Sequence, residues 1–428
     1  MSNTVPDGWQ IKKLGSLVDP RSSNVDKKTD PGEIPVRLCN YTDVYYKNRI
    51  TSDIDFMEAS AKQREIDRFS LEKGDVIITK DSETPGDIAV PAYVSEDLNN
   101  VVCGYHLTLL KPHMAESDGE FLSHLFQLPS VQHYFYVLAN GITRFGLTAD
   151  AISEAPLLTP PLPEQQKIAA ILSSVDDVIE KTRAQIDKLK DLKTGMMQEL
   201  LTKGIGSGGV PHTEFKDSPV GRIPAGWNTE LLDKVAARGS GHTPSKSKPE
   251  YWNGGIDWVS LSDTSKLDRL YINATAKQVS ELGIQNSSAI IHPLGTVVLS
   301  RDAGIGKSAI TTKEMAVSQH FIAWRCSNRL DNHFLYYLLQ FWKPKFESIA
   351  MGSTIKTIGL PFFKQLHVPI PPMSEQEAIT GALKSTDLLI FAAERRLDAT
   401  VAVKKGLMQD LLTGKVRVKL GEQESAVA

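Results

Sequence analysis

Residues 160–202 read PPLPEQQKIAAILSSVDDVIEKTRAQIDKLKDLKTGMMQELLT, and residues 371–413 read PPMSEQEAITGALKSTDLLIFAAERRLDATVAVKKGLMQDLLT. The two stretches pair without a gap at a separation of 211, so that Glu164-Gln165 answers Glu375-Gln376, Asp176 answers Asp387 and Lys193 answers Lys404. In the first, Ile168, Leu172, Val175, Ile179, Ile186, Leu189, Met196 and Leu200 recur three, four or seven positions apart. The second supplies Ile379, Leu383, Ile390, Leu397, Leu407 and Leu411. This period is the narrow seam of a coiled coil. Pro161 and Pro163 suit a helix start, Glu164 sets a carboxylate against the positive N-terminal end, and Gly204 and Gly414 act as stops. The spacing predicts long helices over 161–203 and 372–414, each ~60 Å at ~1.5 Å per residue. Their stripes need a partner, and antiparallel pairing of the two within one chain, about a pseudo-twofold axis, satisfies both. Two independent coiled-coil tails for other proteins are the alternative.

Outward from the helices the same duplication continues, less strictly. Pro6-Asp7-Gly8-Trp9 returns as Pro224-Ala225-Gly226-Trp227, and Gly74-Asp75-Val76-Ile77-Ile78-Thr79-Lys80-Asp81 as Gly295-Thr296-Val297-Val298-Leu299-Ser300-Arg301-Asp302. Tyr105-His106-Leu107 aligns with Gln319-His320-Phe321, and Gly141-Ile142-Thr143-Arg144 with Gly352-Ser353-Thr354-Ile355-Lys356. Here the separation drifts, from 218 at the tryptophans to 221 at the glycines and 214 at the histidines. An insertion inside a helix turns everything beyond it by ~100° per residue, so a helix held to constant length between diverging globular parts carries packing or function. The fold class expected is mixed α/β: two globular domains joined by two long antiparallel helices in a coiled coil. Boundaries fall at 1–160, the central helix 161–203, a Gly-rich linker 204–223, 224–371, the distal helix 372–414 and a tail 415–428.

The bulk properties narrow the function. With 428 residues, 41% of them hydrophobic, the chain has material for more than one core. A net charge of −3 excludes a protein that coats nucleic acid indiscriminately, so any DNA binding must rest on local positive charge. No apolar run approaches the ~20 residues of a membrane span, and the opening MSNTVPDGWQ lacks the features of a secretion signal, which leads us to expect a cytoplasmic protein. Cys39, Cys103 and Cys326 sit in no metal-binding or disulfide spacing.

A search for catalytic chemistry finds none. Gly304-Ile305-Gly306-Lys307-Ser308 resembles the end of a phosphate-binding loop, but Arg301 stands where the first glycine is needed. Thr159-Pro160-Pro161-Leu162 and Ile370-Pro371-Pro372-Met373 lack the polar first and aromatic last residues of an amino-methyltransferase motif and read as helix starts. His106 and His320 match in position, yet no second His or Cys stands near, which favours a core or DNA-facing role over a metal ligand.

Two variable domains, each opening Pro-x-Gly-Trp and closing Pro-Pro-Leu/Met-x-Glu-Gln before a helix that ends Met-Gln-Glu/Asp-Leu-Leu-Thr, resemble the specificity subunit of Type I restriction-modification enzymes. The run Phe215-Lys216-Asp217-Ser218-Pro219-Val220-Gly221-Arg222-Ile223-Pro224 belongs to the same resemblance, which covers nearly the whole chain. It implies a non-catalytic subunit in which 1–160 and 224–371 are target recognition domains, each reading half of an asymmetric bipartite site in double-stranded DNA. It also implies that the helices space the halves and dock two modification subunits. S-adenosylmethionine, for methylation of adenine, and ATP with Mg, for a restriction and translocase subunit, would then sit on partner chains and none on this one. A partner-independent DNA-binding regulator is the rival reading, and a free-standing enzyme the other.

For DNA contacts the sequence points to polar clusters that carry a cation: Lys80, Asp81, Ser82, Thr84, Thr143 and Arg144 in the first copy, and Arg301, Asp302, Lys307, Thr354 and Lys356 in the second. Arg and Lys bond guanine or phosphate, and Asp accepts from cytosine. For helix packing and docking it points to Ile168, Leu172, Ile179, Leu200, Ile379, Leu383, Ile390 and Leu411.

Overall fold

Val76–Thr79 and Val297–Ser300, the apolar runs that the repeat had singled out, are the central strands of two matching five-stranded sheets. The computed structural model describes residues 5–206, 209–352 and 356–420. In the first sheet the order is Val18–Ser22, Leu107–Pro112, Val76–Thr79, Pro91–Val94 and Arg49–Ile50. In the second it is Ala236–Ser240, Phe321–Cys326, Val297–Ser300, Ser308–Thr311 and Tyr271–Ile272. Neighbouring strands are antiparallel in both, except for the last pair, which is parallel in both.

Every residue of the two central strands is buried, because both faces of each sheet are covered. Side chains alternate across a strand, so Val76 and Ile78 enter one core with Phe121, Leu122 and Leu125 of the helix Gly119–Phe126, while Ile77 enters another. That second core is shared with the small sheet of Ile34–Cys39, Met57–Ala61 and Val101–Cys103. In the other copy Val297 and Leu299 pack with Phe334, Leu335 and Leu338 of the helix Asn332–Phe341, and Val298 packs on the opposite side with Val259 and Val317. Its small sheet has four strands rather than three. The large sheet is therefore common property and the small sheet is where the copies depart. Cys39 and Cys103 face each other in register on neighbouring strands as buried free thiols, and Cys326 is also free.

Each copy is closed by a short antiparallel ladder, Gln10–Lys13 on Pro156–Thr159 and Asn228–Leu231 on His367–Ile370. The ladder delivers the chain to a long helix, Leu162–Lys203 in the first case and Met373–Leu411 in the second. The repeated motif residues meet at this point. The Trp9 indole N–H donates to Glu164 at 3.0 Å and that of Trp227 to Glu375 at 3.0 Å. The Gln165 amide donates to Pro160 O and accepts from the Asp118 N–H, and Gln376 repeats this with Pro371 O and the Asp331 N–H. Asp118 and Asp331 in turn cap the helices that cover the large sheets.

By contacts the chain forms two units, one of residues 1–183 with 396–428 and one of 184–395, so each long helix gives half its length to either unit. In each the helices run antiparallel. The first unit pairs Asp176 with Lys404 at 2.7 Å and Glu164 with Arg417 at 2.7 Å. The second pairs Lys193 with Asp387 at 2.6 Å and Lys190 with Glu394 at 3.3 Å. Asp176–Lys404 and Lys193–Asp387 are the same repeat positions with their helices exchanged. Ile168, Leu172, Ile179, Ile379, Leu383, Ile390 and Leu411 are buried in the seam or the adjoining cores, whereas Leu200 is half-exposed. Met197 and Leu201 are buried one position further on, because the helix end turns its stripe into the core around Trp227 and Trp324.

Two consequences can be measured. Glu375→Ala strips the acceptor from the buried Trp227 indole and from the Ile205 amide, two unsatisfied donors that cost about 2–4 kcal/mol together, read as a lower denaturation midpoint. Glu375→Gln, which keeps an acceptor, should lose less. The second concerns acid. His124 is buried between Ser173 and Asp176, and desolvation, helped by Lys404 and Arg49, depresses its pKa to about 3. Below the ordinary value of 6.5 the unfolded chain binds a proton that the folded one refuses, so stability present above pH 6.5 is lost as pH falls toward 3. The slope from this group is up to about 1.4 kcal/mol per pH unit. Tyr337 holds the matching position in the second unit and donates to Asp387 at 2.7 Å, so His124→Tyr should flatten the acid limb of a stability–pH curve.

Candidate nucleic-acid interface

Both central strands end in a cation and an aspartate, and in both copies the aspartate is a junction. Asp81 meets His106 Nδ1 at 2.6 Å and Asp302 meets His320 Nδ1 at 2.6 Å. The backbone repeats the match, since the Lys80 N–H donates to His106 O at 2.9 Å and the Arg301 N–H to His320 O at 3.0 Å. A second loop joins each junction. In the first unit Phe145 and Gly146 pair with Ser82 and Asp81, and Arg144 Nε donates to Asp81 at 2.8 Å. In the second, Thr357 bridges to Asp302 through the backbone and donates its hydroxyl to the same carboxylate. Residues far apart in sequence thus form one loop cluster per unit.

Within the first cluster Arg144 and Thr143 are exposed, and Arg144 Nη2 also lies 2.7 and 3.0 Å from the two ring nitrogens of His106. Burial holds the His106 imidazole below its ordinary pKa even though Asp81 pulls the other way, and the Arg144 cation adds to the lowering. Lys80 is half-buried with its ammonium 3.3 Å from Ser23 O, Ser82 is buried, and Thr84 is exposed and bonded to Asp87. Within the second cluster Arg301 is spent on two carbonyls, Gln319 O at 3.2 Å and Ile358 O at 3.1 Å. Lys307 turns its ammonium to Thr264 O at 3.3 Å, while Lys356 is exposed. Thr354 lies outside the described residues. The two aspartates therefore have their oxygens engaged inside the protein, and the outermost cations are Arg144 and Lys356.

Sequence reading missed the turn that follows an inner strand of each small sheet, Ile34–Cys39 in the first and Trp252–Val259 in the second. Asn40 and Asp43 close one capping box and Ser260 and Asp263 the other. Tyr41 stacks on Tyr45 with centroids 5.4 Å apart, their hydroxyls reach Ser82 and Asp87, and Tyr46 is 76% exposed beside them. This places an aromatic surface against the first cluster. The signal was present, since Leu38-Cys39-Asn40-Tyr41-Thr42-Asp43 and Trp258-Val259-Ser260-Leu261-Ser262-Asp263 align at a separation of 220. A further loop, His242 to Lys248, reaches the second cluster where Thr243 bonds Gln319, and it carries exposed Lys246 and Lys248. Among the described residues no group of three or more His, Cys, Asp or Glu side chains is placed to hold a metal, and no helix is long and apolar enough to cross a membrane.

Polar loops carried on a sheet, doubled and with unlike side chains, present hydrogen-bonding groups at the surface of each unit. Comparison with known proteins settles the family. The model of the Type I restriction modification DNA specificity domain matches twice, over residues 6–191 and 224–401. The chain belongs to that family. It is similar to the protein designated as the type I restriction enzyme MjaX specificity subunit of Methanocaldococcus jannaschii, 25% identical over 97% of this chain and 95% of the relative. The MjaVIII specificity subunit of the same organism is 30% identical over 61% of this chain and 62% of its own length. Among solved structures, the Type I restriction-modification S subunit from M. genitalium superposes with a TM-score of 0.59 at 14% identity, covering 98% of this chain and 99% of that one. A chain from a structure of a type I restriction-modification system undergoing assembly and conformational transition gives 0.54 at 18% identity, with 96% and 100% covered. The two globular parts of this specificity subunit are target recognition domains, and the protein binds DNA and assembles with other restriction-modification subunits.

Proposed function

We propose that each recognition domain reads one half of an asymmetric bipartite DNA site through the loop cluster at its aspartate junction, and that the helix pair sets the gap between the halves. The observation that carries this reading is the junction itself, kept at 2.6 Å in both copies while the side chains around it differ. A common frame with unlike contents is what two different half-sites require. Base edges are told apart by a few hydrogen bonds, whereas phosphate contacts from groups such as Lys356, Lys246 and Lys248 supply affinity without sequence.

The helix pair also offers a docking surface in this reading. Leu388, Leu389 and Phe391 of the distal helix are 65%, 57% and 50% exposed although the seam behind them is filled. Their repeat mates are Asp177, Val178 and Glu180, and Arg49 covers Asp177 at 2.5 Å. An outward apolar stripe on a soluble helix suits modification subunits, two of which would bring S-adenosylmethionine and methylate adenine. Restriction and translocase subunits would bring ATP and Mg. This chain would contribute sequence choice and spacing, with no cofactor of its own.

The purified chain mixed with S-adenosylmethionine and DNA should transfer no methyl group, and addition of the modification subunits should restore transfer at one bipartite sequence. Turnover by the chain alone would overturn the adaptor reading. The spacing claim is tested by removing four residues from 180–190 together with the matching four from 391–401, which preserves Asp176–Lys404 and Lys193–Asp387. Both helices shorten by ~6 Å, so the gap read by modified-base sequencing should shrink by about one or two base pairs at ~3.4 Å each with both half-sites unchanged. Changed half-sites with an unchanged gap would refute it.

A further inference from the structure

We propose that His320 is a base-reading residue of the second recognition domain, presented by Asp302 as a hydrogen-bond acceptor to an exocyclic amino group of cytosine or adenine. The inference rests on the reading that the loop clusters face DNA, and goes beyond it by naming a residue and the base chemistry it selects.

The geometry starts from Asp302, which is buried and tied down from two directions. Thr357 donates to one carboxylate oxygen, and the other lies 2.6 Å from His320 Nδ1. A carboxylate only accepts, so Nδ1 carries the proton, and Nε2 is the ring nitrogen that can accept from a base. The neighbour of Nε2 agrees with that assignment: the Gln319 amide nitrogen, a donor, stands 3.4 Å away, too far to occupy the acceptor fully. The backbone holds the ring in place, since His320 O accepts from Arg301 N and the Ser318–Phe321 turn closes at 3.0 Å. With 32% of its side chain exposed, the imidazole reaches solvent at the point where loops 301–307 and 319–320 meet Thr357 and Ile358.

The first unit shows the alternative use of the same frame. There the His106 side chain is only 13% exposed, because Arg144 lies across both ring nitrogens and is itself 54% exposed. At that junction a guanidinium, a donor suited to guanine, lies over the ring, while at the second the imidazole itself is open to solvent. In the major groove an acceptor selects the amino groups of cytosine N4 and adenine N6 and disfavours the carbonyl edges of guanine and thymine. Asp302 acts through His320 and is a positioning residue.

The test uses the chain with its partner subunits in a host whose genome is read by modified-base sequencing. The wild type should methylate one bipartite motif. His320→Ala should relax a single base position in one half-site, discrimination there falling about five- to tenfold, with the other half-site and the gap unchanged. His320→Lys, a donor only, should move that position to guanine. Asp302→Asn, whose amide oxygen can still accept from Nδ1, should keep the preference, and Asp302→Ala should lose it. An unchanged motif in an active His320→Ala complex overturns the inference and leaves the general reading standing. Absence of any bipartite motif in the wild type overturns the general reading itself. Loss of all methylation in both His320→Ala and His320→Asn would mark a structural role and also overturn the inference.

Discussion

A buried carboxylate at the first turn of each long helix holds the specificity subunit together. Glu164 and Glu375 sit where a negative charge meets the helix N-terminus, and each receives the indole N–H of the tryptophan that opened its own repeat. Desolvating a carboxylate is costly, so further donors are obligatory. The copies find them in different places. Arg417, beyond the distal helix, clamps Glu164 with two bonds of 2.7 Å, while Glu375 takes His212 at 2.9 Å and the Ile205 N–H at 2.8 Å from the linker beyond the central helix. In both, the chain leaving one long helix neutralises the start of the other. The globular part, the helix start and the opposite helix end are fastened at one charge.

Register along the seam follows from that anchor. Apolar pairs alone would tolerate a slip of the seven-residue period, since one leucine substitutes for another. A half-buried Lys–Asp pair does not, because a slipped partner leaves a charge unpaired at a cost of several kcal/mol. Asp176–Lys404 and Lys193–Asp387 lock the pairing at one place in each unit. The constant separation of 211 along the two helices is the trace of this demand: an insertion would break an anchor, a lock, or both.

The helices were legible because periodicity and stop residues are local signals, and the central strands because a fully buried strand is a short apolar run between turns. Pro-x-Gly-Trp and Glu-Gln were visible as repeated motifs, but not as partners, since 155 residues separate Trp9 from Glu164 and no local pattern encodes a long-range bond. The same limit applied at the loops. Lys80, Asp81 and Arg144 were readable as polar clusters, whereas the division of labour among them depends on tertiary neighbours: Asp81 is consumed by His106 and Arg144, and Arg301 by carbonyls. The turns at Asn40 and Ser260 escaped notice because only their capping aspartates are identical, and the small sheets that carry them differ in strand number. Met197 and Leu201 replaced Met196 and Leu200 as the most buried residues at one helix end because a helix that leaves a coiled coil for a globular core changes the face it buries.

The proposed reading ties the contrast in tolerance between helix and loop to the choice of DNA sequence. Val76–Thr79 and Val297–Ser300 are buried on both faces, so substitutions there cost packing energy whatever the DNA sequence. Loop side chains beyond the aspartate junction have few packing partners: Thr143, Arg144 and Lys356 are exposed and can change at little cost in stability. The junction separates the two regimes, because the aspartate and histidine must keep each other while the groups attached to them need not. Exchange of Arg144 for another polar residue would leave Asp81 bonded to His106, and exchange of Lys356 would leave Asp302 bonded to His320. On the proposed reading, stability is set below the junction and sequence choice above it, so one copy could be retuned without disturbing the anchor, the lock or the other copy.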